Sequence, residues 1–427
     1  MEATIMLCVF FILIAIKIPM AVAIGISCLV AIFGLDAAPL IMLGQQAFEG
    51  LWSFPIVAIP FYILAGNLMS RGGISQALFD FAYSFVGRIT GGLAMVVVLA
   101  SAFFAALSGS STATTVAIGG MALPKMLEKG YGKDYALAIA AAGGVLGPII
   151  PPSVGFVLYG VATETSVADL FLGGIVPGVV CAILLMIMVF FTAKKRGYKG
   201  TDERFSWKQV GKTFWVAKYA ILVPVIILGG IYGGIFTPTE AGAVACVYSI
   251  LVSMFVQRTV NFKELIETLA ESCLTTAAVM FLVGTATTFG RILTMAQVPQ
   301  QLAAFITEVA GSRFMALLMI NIFLLIVGCI MDSACAILIL SPMLLPVVKG
   351  FGVTGLHFGL IVCLNLTIGA ITPPVGCCLF AASVMGQYPL EKIAKAALPF
   401  LFALIVGLML VTYIPALTEF LPAVLDI

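Results

Sequence analysis

Two stretches decide the reading of this chain. Ser108-Gly-Ser-Ser-Thr112 is followed by Gly147-Pro-Ile-Ile-Pro-Pro152, and Met331-Asp-Ser-Ala334 is followed by Gly369-Ala-Ile-Thr-Pro-Pro374. Ser111, Met121, Leu123, Pro124, Gly130, Gly147, Ile149, Pro151 and Pro152 each have an identical residue 222 positions on, reached without an insertion. Those counterparts run from Ser333 to Pro374. Each copy joins a small polar cluster to a Gly-x-x-x-Pro-Pro break inside apolar sequence. Apolar helices interrupted at matching places in two halves point to the binding site of a membrane carrier.

Composition sets the solvent. Of 427 residues, 62% are hydrophobic and only 9% charged, and runs of roughly 17–25 apolar residues recur, each long enough to cross a hydrocarbon core. A net charge of +2 gives no reason to expect nucleic acid. Met1-Glu2 has no basic region and no small-residue cleavage site after it, so the start reads as a first membrane helix and not a signal peptide. The ten cysteines are scattered, apart from Cys377-Cys378, with no metal or redox spacing. They read as buried small hydrophobes.

Spans are expected near 3–16, 19–35, 52–70, 133–165, 169–192, 214–235, 238–256, 272–292, 355–385 and 396–416. The apolar pairs 91–127 and 313–349 hold a polar tip in the middle and read as re-entrant hairpins. If the loops around 17, 71–88, 125–133, 194–218, 258–271 and 391–395 face the cytoplasm, 18 of the 21 Lys and Arg lie inside. Only Arg291, Arg313 and Lys349 lie outside. Ten spans give five per copy, and five is odd, so the second copy is inverted relative to the first. A weaker match, Gly66, Ile74, Gln76, Leu78, Phe81 and Gly87 against residues 224 further on, extends the duplication upstream. Segments 74–88 and 298–311 read as amphipathic stretches along the membrane surface. The fold class expected is therefore an all-α polytopic membrane protein built of two inverted five-helix repeats, each with a re-entrant hairpin and a broken helix. Residues 1–192 form the first repeat, 193–213 a cytoplasmic connector and 214–427 the second.

A helix broken inside a membrane exposes backbone groups that must find partners. Prolines remove donors and clash with the preceding turn, and glycine permits the sharp path. Carbonyls freed at Gly147–Ser153 and Gly369–Val375 are hard oxygen ligands suited to sodium, and the opposing half-helix N-termini suit a carboxylate. Ser108, Ser110, Ser111, Thr112, Thr114 and Thr115 add hydroxyls on one side; Asp332, Ser333 and Thr372 add oxygens on the other. Hydroxyls also join membrane helices, which serves equally well for Thr114 and Thr115. Asp332, ionisable at a hairpin tip, is a site candidate by default, as a sodium ligand or a neighbouring charge, with a helix cap as the alternative. Arg291 reads as snorkelling, with attraction of an anionic substrate as a second role. His357, the only histidine, supports no proton relay or triad. Thr237-Pro-Thr-Glu240 has an N-cap pattern, Asn67 reads as an interhelical bond, and Asn365 as support for the second break.

Phe54-Pro-Ile-Val-Ala-Ile-Pro-Phe, Ser108-Gly-Ser-Ser, Gly147-Pro-Ile-Ile-Pro-Pro-Ser, Phe236-Thr-Pro-Thr-Glu-Ala-Gly242 and Ile371-Thr-Pro-Pro-Val-Gly376 together resemble the large membrane subunit of tripartite ATP-independent periplasmic (TRAP) transporters. The resemblance covers nearly the whole chain. It implies an elevator-type, sodium-coupled importer of organic acids in the bacterial inner membrane, of the ion-transporter superfamily. It also implies a periplasmic substrate-binding protein and a small four-helix membrane subunit, both expected on separate chains. By that resemblance one sodium site lies between Ser108–Thr112 and Gly147–Pro152, drawing on Ser108, Ser110, Ser111, Gly147 and Pro151. A second lies between Met331–Ser333 and Gly369–Pro374, drawing on Asp332, Ser333, Gly369 and Thr372. Substrate sits between the tips, against Ser111, Thr112, Pro152, Ser153, Ser333 and Pro374. No cofactor and no metal other than sodium is expected. Sialic acid is favoured over C4-dicarboxylates as cargo on overall similarity.

Rival classes lack parts. An intramembrane protease needs a Ser–His pair or two aspartates, and a nucleotide-driven pump needs a phosphate loop. Gly211-Lys-Thr213 is preceded by Ser206 where that loop requires glycine. No enzyme is expected. A passive anion channel built from re-entrant hairpins is the serious alternative, separated from a carrier by saturable, sodium-dependent uptake.

Overall fold

The computed structural model describes every residue except Met1, Lys17, 36–38, Gly72, 201–204, Val375 and 426–427, together with the backbone alone of Glu2 and Leu35. Val375 of the second motif, the Lys17 loop and part of the expected connector thus lie outside the described residues. Among the described residues the secondary structure is helical, with no strand.

The first half runs α1 (Glu2–Ala15), α2 (Met20–Leu35), α3 (Ile41–Leu51), α4 (Ala58–Arg71), α5 (Ile74–Val86), α6 (Gly92–Ser108), α7 (Ser111–Glu128), α8 (Lys133–Gly144), α9 (Val154–Thr163) and α10 (Val167–Arg196). The second runs α11 (Trp207–Tyr232), α12 (Pro238–Leu251), α13 (Phe262–Met295), α14 (Val298–Ala310), α15 (Arg313–Ile330), α16 (Ser333–Gly350), α17 (Gly355–Gly369), α18 (Cys377–Gly386), α19 (Leu390–Tyr413) and α20 (Ala416–Leu425). Helix starts recur at a near-constant spacing: Ile74 and Val298, Ser111 and Ser333, Lys133 and Gly355, Val154 and Cys377, Val167 and Leu390. Eight described helices are long and apolar enough to cross a membrane, and several shorter apolar helices accompany them. At 30 residues α10 reaches about 45 Å.

Local chemistry explains the boundaries. Thr237 and Glu240 form the expected capping box at α12, each side chain answering the other's backbone N–H. Asn261 and Glu264 form another, and it opens α13 well before the expected 272. Three acidic residues, Glu264, Glu267 and Glu271, lie in that early part and disguised it as a loop; Arg71 pairs with the last two at 3.5 and 2.5 Å. The connector is shorter than 193–213, because α10 continues through Lys194–Arg196 to Gly197 and α11 starts after Ser206. Cations in a last turn complement the helix dipole, and Gly197 takes the left-handed closing conformation. Residues 391–395 are the first turns of α19 and not a loop. The sequence reading missed α3 and α20. In α3 no residue is fully buried, and at 11 residues it is too short to read as a span.

Packing interlocks the two halves where the breaks lie. The outgoing hairpin helix α7 packs against α18 of the other half, and α16 packs against α9. The expected interhelical bond of Asn67 is present, its Nδ2 donating to Ser272 Oγ at 2.9 Å. Asn365 donates to Asn321 Oδ1 at 2.7 Å, and Asn321 donates to Thr412 Oγ1 at 3.2 Å, which ties α17 to α15 and α19. His357 is buried, with Nδ1 at 2.7 Å from Thr418 Oγ1 and Nε2 at 3.1 Å from the Thr412 carbonyl, so it fastens α17 to the C-terminal end. Seven cysteines are buried as expected; Cys8 and Cys273 are exposed and Cys377 is half-buried.

Candidate functional site

The first tip closes on Gly109, whose φ of +56° suits a residue without a Cβ. Ser110 then caps α7, its hydroxyl accepting from the Ala113 N–H at 3.4 Å. Thr114 Oγ1 donates to the Ser110 carbonyl at 2.8 Å and lies 2.8 Å from Ser108 Oγ. Thr115 Oγ1 donates to the Ser111 carbonyl at 2.9 Å. The break between α8 and α9 fits onto this tip. A Cβ on Gly147 would lie 2.5 Å from the Ser110 carbonyl oxygen and 3.0 Å from Thr114 Oγ1, and one on Gly109 would lie 3.4 Å from the Pro152 carbonyl oxygen. Only a glycine lets break and tip approach so closely. Pro151, Pro152 and Ser153 are buried. Ser153 Oγ donates to the Pro148 carbonyl at 2.6 Å.

The second tip is built differently. Asp332 caps α16, with Oδ1 accepting from the Ala334 N–H at 2.9 Å, and its own N–H reaches Met20 Sδ of α2 at 3.4 Å. The break between α17 and α18 is held by the Cys378 N–H donating to the Ala370 carbonyl at 2.9 Å, and by Thr372 Oγ1 donating to the Ile368 carbonyl at 3.0 Å. Gly369 meets the backbone of Gly328 in α15, where a Cβ would lie 2.4 Å from the Gly328 carbonyl carbon. Thr372 is half-buried, and Pro373 and Pro374 are exposed.

One cavity of about 170 Å³ joins the two tips. Ser108, Ser110, Ser111 and Thr112 line it from the first, Asp332 and Ser333 from the second. Its walls also take in Pro148, Val154, Gly155 and Cys377, so the N-terminal ends of α7, α9, α16 and α18 all reach it. Gly147, Pro151, Pro152, Ser153, Gly369, Thr372 and Pro374 are not among its lining residues. Ser153 has turned its hydroxyl onto its own break. The α13 residues Thr275 and Val279 and Ile63 of α4 complete the wall from outside the duplicated pairs. Thr275 and Cys377 escaped sequence reasoning: each sits in apolar sequence with no local signal of what it faces. Arg291 lines a separate cleft of about 520 Å³ with Glu49 and Glu164.

Residues 7–417 match the sequence profile of the tripartite ATP-independent periplasmic transporter, DctM component. The chain is 42% identical over 411 residues to the isethionate TRAP transporter permease protein DctMQ of Oleidesulfovibrio alaskensis, a match that takes in 96% of this chain and 65% of that longer one. It is 43% identical to the C4-dicarboxylate TRAP transporter large permease protein DctM of Pseudomonas aeruginosa, with 89% of each covered. To the sialic acid TRAP transporter large permease protein SiaM of Vibrio cholerae it is 40% identical, with 88% of each covered. The crystal structure of the Alcanivorax borkumensis YdaH transporter shares the fold, with a TM-score of 0.60, 16% identity and 87% of each chain covered. The chain belongs to the DctM-component family of TRAP transporters, multi-pass permease proteins of the inner membrane.

Proposed function

We propose that the chain is the carrier subunit of a sodium-driven organic-acid importer. The observation that carries this reading is the convergence of four helix N-termini, two serine-rich or acidic tips and one 170 Å³ cavity. Helix N-termini favour an anion, and broken helices aim them at a carrier's substrate. Sodium is assigned to the oxygens around each tip: Ser108, Ser110, Ser111 and the Gly147–Pro151 carbonyls on one side, Asp332, Ser333, Gly369 and Thr372 on the other. The substrate is assigned to the space between Ser111, Thr112 and Ser333. Pro152, Ser153 and Pro374, expected at the substrate, are assigned to supporting the breaks. The passive-channel alternative has no comparable use for two oxygen-bearing tips that line one cavity.

The two halves are read as inverted repeats, with the hairpins and broken helices moving as an elevator against α2, α4, α12 and α13. A small membrane subunit and a periplasmic binding protein complete the system. The relatives named for isethionate, C4-dicarboxylate and sialic acid stand at 42, 43 and 40% identity, so sialic acid is one of the named cargoes and similarity does not rank it above the others. Their common chemistry is a small organic anion. Two sodium ions entering with a monoanion carry net positive charge inward, and an inside-negative potential adds about 2.3 kcal/mol per charge per 100 mV.

Reconstitution with both partners tests the proposal. Uptake should saturate, require an inward sodium gradient and proceed without nucleotide. Uptake driven by a proton gradient in the absence of sodium would refute it.

A further inference from the structure

A second cleft, of about 810 Å³, lies away from the tips, where α5 meets the base of the first hairpin and the chain leaving α10. Lys129, Arg196 and Lys199 line it, and no carboxylate does among the described residues. Arg196 is engaged, its Nη1 lying 3.2 Å from Asp134 Oδ2 and its guanidinium 4.9 Å from the centre of the Tyr135 ring. Lys129 and Lys199 have no ion pair among the described residues.

The floor of this cleft is built from stacked rings and hydrogen bonds from backbone N–H groups. The Tyr131 and Tyr198 rings stack at 4.1 Å. Tyr198 accepts from the Gly132 N–H through its hydroxyl at 2.9 Å and from the Gly91 N–H through its carbonyl at 3.1 Å. Tyr131 is only 4% exposed. Its hydroxyl sits near the Leu93 amide at the start of α6 but closes no hydrogen bond of normal geometry, leaving its proton unspent. A buried donor without a partner is costly unless something supplies the acceptor.

Among the described residues, two ammonium groups without an ion pair, an unspent phenol proton and a lining without carboxylates describe a receptor for a multiply charged anion rich in acceptor oxygens. We propose that this cleft binds a phosphate-bearing anion, held by Lys129, Lys199 and the Tyr131 hydroxyl. Tyr83 of α5 and Gly87 just after it line the same cleft, so an occupant would tether α5 to the hairpin base. The chemistry is shared by a phospholipid headgroup and by free phosphate, and the cleft is far larger than one phosphate ion.

Thermal unfolding of the purified full chain in neutral detergent, without sodium, separates these sources and stays independent of transport. Potassium phosphate is titrated against potassium acetate at equal ionic strength. In parallel, nanodiscs of dioleoylphosphatidylcholine are compared with discs containing added dioleoylphosphatidylglycerol. Saturable stabilisation is expected from at least one phosphate source and not from acetate. Response to the lipid alone assigns the membrane as source; response to free phosphate assigns the solution. The exposed double variant Lys129→Gln/Lys199→Gln should weaken the apparent affinity by about tenfold or more, and Tyr131→Phe by a smaller factor. No saturable effect from either source, or equal affinity in wild type and double variant, would overturn the proposal.

Discussion

The two helix breaks carry the same motif and meet different surroundings. At the first, Gly147 is pressed against the Ser110 carbonyl and the Thr114 hydroxyl of its tip, and the residues from Pro151 to Ser153 are buried. At the second, Gly369 is pressed against Gly328 along the hairpin stem, while Pro373 and Pro374 are exposed. The first break is thus closed onto its tip by neutral hydroxyls and carbonyls. The second tip has the carboxyl group of Asp332 and an open break. A duplicated sequence therefore yields one packed break and one loose one. Closure and the carboxyl group are divided between the halves.

The largest effect is expected where a break is pressed against its own tip. Gly147→Ala places a methyl within 2.5 Å of a backbone oxygen, an overpacking that typically costs about 1–3 kcal/mol. Uptake should be abolished while the protein still inserts. Gly211→Ala, where nothing lies within 4 Å, should leave uptake and thermal stability near wild type. Equal behaviour of the two variants in vesicle uptake would show that the break does not need its tip.

The next pair of substitutions sets break against break. Ser153→Ala removes the buried donor to the Pro148 carbonyl and should lower stability by about 1–3 kcal/mol, seen as a lower unfolding midpoint. Thr372→Ala removes a hydroxyl of a half-buried residue bonded within its own turn, so its midpoint should move little. If Thr372 also ligates sodium, the sodium concentration for half-maximal uptake rises without loss of stability. Matching midpoints for both variants would erase the contrast between a packed and a loose break.

Smaller still is the expected effect of Thr115→Ala. That hydroxyl bonds the Ser111 carbonyl one turn back, a contact that contributes little to a helix. Its sodium requirement, measured beside that of Ser111→Ala, should stay near wild type.

Much of this was legible in sequence because the membrane punishes irregular backbone. Gly-x-x-x-Pro-Pro cannot continue a helix, so both breaks announce themselves, and the Ser and Asp tips stand out from the apolar stems on either side. Capping residues at Thr237 and Glu240 were equally readable. The helix α3 was not, since at 11 residues it is too short to read as a membrane span. Nor was the early start of α13, whose glutamates mimic a loop. Thr275 was invisible for another reason: it reaches the cavity only because α13 packs beside hairpins distant in sequence. The unequal surroundings of the two breaks belong to tertiary packing, and identical motifs could not reveal them.

The most direct test is a sodium titration of uptake in wild type, Ser111→Ala and Asp332→Asn. Asparagine caps a helix as well as aspartate does, so the second substitution removes the charge and keeps the cap. A raised sodium requirement in both variants, with inserted and stable protein, is the result expected if each tip holds a coupling ion. An unchanged sodium dependence in both would contradict it, and the breaks would then serve as hinges alone.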